Sequence, residues 1–286
     1  MTRLAILADI HGNLPALQAV MADMTQFQFD HVVVVGDVVN WGPHSAEVME
    51  IVTREGWTVI RGNNELYLLE YNTPRQPAHW KTYDLLPWLY EQLQGRWHSY
   101  LALWPDELSL RFPDAPAVRV FHGAPGNPWQ SLHPLMTDAE VGSLLVGVTE
   151  HTILAGHSHL AMSRRVGPWH IINPGSVGVP LDGDFTARYV LLEGDESGWQ
   201  PTFRKVAFDN AAVFEAFERQ RFVERYGAVA RLVVKEFETA RLQVHPFNLW
   251  KRACYDSQPV TWEMLAEFEQ TDPWPYIPPE YHLNRD

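Results

Sequence analysis

The chain has 286 residues, 46% of them hydrophobic, a single cysteine and a formal net charge of −13. That length buries a full core in one large domain, or in one domain with an appendage. One cysteine excludes an intrachain disulfide and fits a reducing cytoplasm, and an acidic chain with no run of Lys or Arg lacks the basic stripe of a duplex-binding protein.

The first apolar run, residues 4–8, is too short for a signal peptide and stops at Asp9, with His11 just beyond. No run approaches a membrane span, so a cytoplasmic chain without membrane contact is expected. Helical spacing follows over residues 14–24, then a second run at 32–35 that ends on Asp37. Another helical stretch at 45–55 leads to a third run, 58–60, followed by Asn63. Strand, helix, strand, helix, strand is half of an α/β sandwich.

From residue 65 to about 104 the character changes. Tyr67, Tyr71, Trp80, Tyr83, Trp88, Tyr90, Trp97 and Tyr100 mark an aromatic-rich helical insertion of two or three helices, with breaks expected near Pro74–Pro77 and at Pro87. Packing on the sheet accounts for these rings, and stacking on a nucleobase is the functional alternative. The core resumes with strands around Val118, Ile153, His170, Arg188 and Phe203, with His122 after the first and His157 and His159 after the second. Two sheets packed face to face with helices outside are expected. Residues 207–286 read as one long helix capped by Asp209 or Asn210, a shorter helix after Thr261 and a Pro-rich strap, an extension expected to cover a flank. Cys254 within it is expected to be a buried, inert thiol.

Five short apolar runs therefore end on Asp9 and His11, Asp37, Asn63, His122, and His157 and His159. In open α/β sheets the ligand crevice lies outside the carboxyl ends of the strands, which places all seven side chains on one edge. Carboxylate, imidazole and amide oxygen without thiolate suit manganese, and also Fe, Zn, Ni or Mg. One carboxylate can bridge two ions, and Asp37 is the natural candidate for it.

These motifs, namely Asp9-Ile10-His11, residues 36–42 around Gly36-Asp37, Gly62-Asn63-Asn64-Glu65, His122-Gly123 and Gly156-His157-Ser158-His159, resemble the calcineurin-like metallophosphoesterase superfamily in their order. Asn173-Pro174-Gly175-Ser176 resembles its small bacterial and archaeal phosphodiesterase branch. The resemblance implies a four-layer α-β-β-α sandwich of two mixed β-sheets flanked by helices, over residues 1–206, with the insertion and the helical C-terminal extension added to it. It also implies two divalent metal ions, the first on Asp9, His11, Asp37 and His159, the second on Asp37, Asn63, His122 and His157. The implied activity is hydrolysis of phosphodiester bonds in small-molecule or nucleotide substrates through attack by a metal-activated hydroxide. Cyclic nucleotides and dinucleoside polyphosphates are among the expected substrates. A phosphomonoesterase and a non-catalytic scaffold of the same fold are the alternatives.

One departure bears on the substrate. Where most of the superfamily has a His after the metal-binding Asn, this chain has Asn64. An amide supplies no titrating proton near neutral pH, so Asp37, Asn63 and Asn64 are expected to serve leaving groups that need little protonation, diesters before alkyl monoesters. Asn13, Arg61 and Asn64 are expected substrate contacts, Arg61 through a bidentate fork or else as a salt bridge closing its loop. His44 is a second candidate acid, though a surface loop role suits it better, and Asn173 with Gly175 could shape the rim or form a plain turn. Nothing in the residues sets the oligomeric state, and a homo-oligomer stays open.

Overall fold

In the first strand, β1 (Thr2–Leu7), Leu4 and Ile6 point to one side and Ala5 and Leu7 to the other, and all four are fully buried. Such a strand needs cover on both faces. A computed structural model, which describes residues 1–77, 80, 85–256 and 258–284, shows what provides it.

One sheet has the order β10 (Gly198–Val206), β9 (Ala187–Asp195), β1, β2 (His31–Val34), β3 (Thr58–Val59). The other has β4 (Glu107–Leu110), β5 (Val118–Phe121), β6 (Thr152–Leu154), β8 (Trp169–Asn173), β7 (Met162–Val166). Leu4, Ile6 and Val33 from the first sheet meet Val120, Leu154 and Ile172 from the second in one apolar layer. On the outer face of the first sheet, α1 (Leu14–Met24) and α2 (Ser45–Arg54) cover Ala5, Leu7 and Val34, and on that of the second α6 (Asp138–Leu144) covers Ile153 and Ile171. The result is the four-layer sandwich, with mixed sheets.

Strands β1, β2 and β3 are parallel to one another, as are β5, β6 and β8. Their carboxyl ends fall on one edge of the sandwich, and the loops leaving them carry the seven candidate ligands.

Several details differ from the sequence reading. Strands β4 and β7 occur where no apolar run marks them. They lie at the two edges of their sheet, and β7 buries Met162 and Val166 while its other residues are charged or polar, a composition that suits an edge. Among the described residues of the insertion, α3 (Asn63–Glu70), α4 (Leu85–Leu93) and α5 (His98–Leu103) are the α-helices, and Pro87 lies inside α4 without ending it. Tyr83 lies outside the described residues.

The extension is not one long helix. Asp209 caps α7 (Asn210–Arg219) by accepting from Ala211 and Ala212, after which Arg221 turns left-handed (φ 52°) and starts α8 (Phe222–Thr239), itself kinked at Gly227 (φ 71°). An additional helix, α9 (Val244–Tyr255), precedes α10 (Trp262–Glu269), which Thr261 caps. Cys254 is exposed, because α9 buries Phe247, Trp250 and Lys251 and turns Cys254 to solvent. Among the described residues no helix is long and apolar enough to cross a membrane.

The insertion and the extension are packed together through Trp88. Its indole is 2% exposed, lies 4.2 Å from the ring of Phe222 and donates to Gln220 Oε1 at 3.2 Å. Trp88→Ala is expected to lower the unfolding free energy by about 3–5 kcal/mol in urea denaturation. A loss below about 1 kcal/mol would show that the C-terminal helices hold to the core without it.

Candidate metal centre

The loops after the parallel strands are tied to one another by their backbones. Asp9 N–H donates to Gly36 and His11 N–H to Asp37, joining the first two loops, while Gly156 N–H donates to the His122 carbonyl and Gly178 N–H to that of Asp9. Close approach demands glycine here: a Cβ on Gly178 would meet the Ile10 carbonyl oxygen at 1.9 Å, and one on Gly62 would meet Asp37 Oδ1 at 2.1 Å. Asp9, His11, Asp37, His157 and His159 all have left-handed φ, between 51° and 66°. Non-glycine residues pay strain in that region, and its concentration in five of the seven candidate ligands points to a functional cause.

The seven side chains converge as two groups, Asp9 with His11 and His159, and Asp37 with His122 and His157, the donor atoms in each lying within 4.8 Å of one another. Asn63 joins the second group, its Oδ1 being 3.2 Å from His122 Nε2. Asp37 Oδ2 lies between the groups, 3.2 Å from His122 Nε2 and 3.6 Å from His11 Nε2.

Three of the imidazoles are oriented by backbone carbonyls. His122 Nδ1 is 2.7 Å from the Val35 oxygen, His159 Nδ1 2.5 Å from that of Val179, and His157 Nε2 3.2 Å from that of Trp129. A carbonyl only accepts, so each of those nitrogens carries a hydrogen and the other nitrogen of the ring is left for the cluster, the arrangement that outer-sphere partners impose on metal-binding histidines. His159 Nε2 and His11 Nε2 meet at 3.1 Å. This donor set fits divalent cations.

Electrostatics agrees. Burial lowers His11 and His157 to about 4 and takes His159 well below its ordinary value, so all three are neutral near pH 7. Burial pushes Asp9 well above the carboxylate range. For Asp37 burial opposes ionisation, but His122 outweighs it and holds the carboxyl below its ordinary value. His122 is the converse case: burial is overcome by Asp37 and then Asp9, which push it up to about 10. A cation bound at the inner nitrogen of His122 would have to displace that proton.

Not every expected contact reaches this cluster. Asn64 does, but as a support: its side-chain amide donates to Asp37 Oδ2 at 2.6 Å, its backbone N–H to Oδ1 at 2.9 Å, and its Oδ1 accepts from Asn40 at 2.6 Å. Asn13 is fully buried and does not line the cavity; it caps α1 by accepting from Ala16 and donates to the Gly178 carbonyl. Arg61 closes its loop instead of facing the cavity, paired with Asp106 at 2.8 Å and donating to the Leu101 and Ala102 carbonyls. His44 precedes α2 and does not line the cavity. Asn173 is buried behind the histidine loop, donating to the Gly156 carbonyl and Ser158 Oγ.

Glu65 is the supporting residue that the sequence reading left without a role. Its carboxyl is fully buried and accepts from the backbone N–H of Asp37, Val38, Val39 and Gly62, at 2.6–3.2 Å. Burial and then the negative Asp37 push it up to about 7, against hydrogen bonds that favour its ionised form. Its spacing from Gly62, three residues into a helix, was the available signal, since an acid there reaches back to the N-cap N–H.

The cluster opens into a cavity of about 590 Å3. Tyr67 from the insertion and Trp129 from the loop after β5 form one wall, and Glu236, His245, Glu280 and Tyr281 from the extension form another. The extension therefore does more than cover a flank. Tyr281 donates to the Ser158 carbonyl, between the two candidate ligands His157 and His159, at 3.1 Å. Glu236 is buried and accepts from the Trp41 indole and from the first N–H groups of α9.

Comparison with known proteins follows the same lines. Residues 2–197 match the Calcineurin-like phosphoesterase superfamily domain. The chain is 27% identical over 203 residues to the phosphodiesterase YfcE of Escherichia coli, covering 68% of this chain and 89% of that protein. It is 25% identical over 246 residues to an uncharacterized protein of Methanocaldococcus jannaschii, covering 78% and 95% respectively. In fold it is similar to a hypothetical protein of Pyrococcus horikoshii, with a TM-score of 0.72 at 19% identity over 85% of this chain and all of that one. The chain belongs to the calcineurin-like phosphoesterase superfamily.

Proposed function

We propose that this chain is a dinuclear metal-dependent phosphodiesterase acting on small phosphate esters or nucleotides. The observation that carries the reading is the placement of Asp37 Oδ2 between two convergent donor groups. Asp9, His11, Asp37 and His159 would hold one divalent ion, manganese by preference, and Asp37, Asn63, His122 and His157 the other. Such a pair, when bound, polarises a phosphoryl oxygen and makes a water nucleophilic near neutral pH.

The chain's own residues do the rest. Glu65 and Asn64 hold the loop and carboxylate of Asp37, and the carbonyls of Val35, Trp129 and Val179 hold three imidazoles in their aim. The Asn64 amide donates one N–H to Asp37 and accepts from Asn40, and an amide has no titrating proton to give a leaving group. That favours diesters and activated esters, whose departure needs less protonation. The similarity to YfcE, a phosphodiesterase, supports the same choice.

Hydrolysis of an aryl phosphodiester by chelator-stripped protein is expected to depend on added manganese and to fall about 10²–10³-fold or more in Asp37→Asn. Turnover that survives both treatments would sink the metal mechanism. Asn64→His is expected to raise monoester over diester turnover, by up to about a hundredfold, and an unchanged ratio counts against the leaving-group argument. Glu65→Gln, with one fewer acceptor for four N–H groups, should weaken manganese binding about 10–100-fold in competition with a chromogenic chelator; undiminished affinity would make its role one of folding alone.

A further inference from the structure

Trp129 is a large apolar side chain left 41% exposed at the mouth of a cavity whose other aromatic residues are more buried. Its neighbours fix its position. The Trp129 carbonyl accepts from His157, so the residue is one hydrogen bond from a candidate metal ligand. Its ring is propped from behind by Tyr67, edge-on at 4.9 Å and 84°, and by Trp80 at 5.9 Å. Tyr67 and Trp80 are themselves packed at 4.5 Å. Three rings thus pack against one another, with Trp129 the outermost.

An indole backed by two rings and open on its remaining side loses little entropy when a flat group covers it. Stacking against an aromatic side chain is sequence-tolerant and strong for nucleobases, because every base presents a π-face. The aromatic residues that the sequence singled out between Glu65 and Trp104 contribute the prop, Tyr67 and Trp80. The platform comes from a different loop.

We propose that Trp129 is a specificity-determining residue: a planar heteroaromatic group of the substrate, such as a nucleobase, stacks on its indole while the phosphodiester meets the cluster. This rests on the phosphodiesterase reading and narrows its substrate class to diesters that carry a base-like ring. Trp129→Ala removes the platform and keeps the carbonyl that orients His157. Trp129→Phe retains a π-face.

Two measurements on the manganese-loaded full chain separate this proposal from the reading it rests on. The first compares adenosine 2′,3′-cyclic phosphate with glycerol 1,2-cyclic phosphate, which present the same five-membered cyclic diester with and without a base. The preference for the adenosine compound, as a ratio of kcat/KM values, is expected to fall about tenfold in Trp129→Ala, carried by KM, and to return most of the way in Trp129→Phe. The second is binding of adenosine 5′-monophosphate by equilibrium dialysis, where Trp129→Ala is expected to raise Kd about tenfold and Trp129→Phe much less. Failure of the wild-type chain to cleave either cyclic phosphate would count against the phosphodiesterase reading, with stacking still decided by the dialysis. An unchanged ratio or an unchanged Kd in Trp129→Ala overturns the stacking role.

Discussion

The two hydrogen bonds from Asn64 to the two oxygens of Asp37 hold the carboxylate on which the cluster is centred. Asn64 can make them because Glu65 beside it gathers four N–H groups from two loops, those of Asp37, Val38 and Val39 on one side and Gly62 on the other. A buried carboxyl is costly unless its oxygens are filled. Here the same bonds that offset its burial also fasten the loop after β2 to the start of α3, and so set where Asp37 sits relative to Asn63 and His122.

Asp9, Asp37 and Glu65 share a small buried volume and repel one another. His122 is the one imidazole drawn strongly towards its protonated form by that negative field, whereas burial keeps His11, His157 and His159 neutral. The cluster is therefore built to receive positive charge. Left-handed backbone at five of its seven residues adds strain that the surrounding hydrogen bonds must hold, and two sheets with fully buried strands provide the rigid base for it.

The walls of the cavity come from outside the two sheets. Tyr67 comes from the insertion, Trp129 from the loop after β5, and Glu236 and Tyr281 from the extension, so three separate additions enclose one cavity above the cluster. Tyr281 and Trp129 reach further still, since each touches the backbone or ring of the segment 157–159. The elements that shape access to the site also steady the ligands beneath it.

By themselves, the residues determined the layered fold, because doubly buried strands produce apolar runs and glycine-bounded ends that are visible in one dimension, and they determined which seven side chains would gather on one edge, because parallel strands place their carboxyl ends together. Capping residues such as Asp209 and Thr261 were legible for the same local reason. What depends on contacts between distant segments was not. Arg61 and Asn13 look like phosphate ligands until Asp106, Ala16 and Gly178 are seen to engage them; edge strands β4 and β7 carry too few apolar residues to announce themselves; and the break at Arg221 divides an apolar pattern that is locally continuous. Only the tertiary structure decided that the extension walls the cavity, since the bond between Tyr281 and Ser158 spans 123 residues and leaves no periodic trace along the chain.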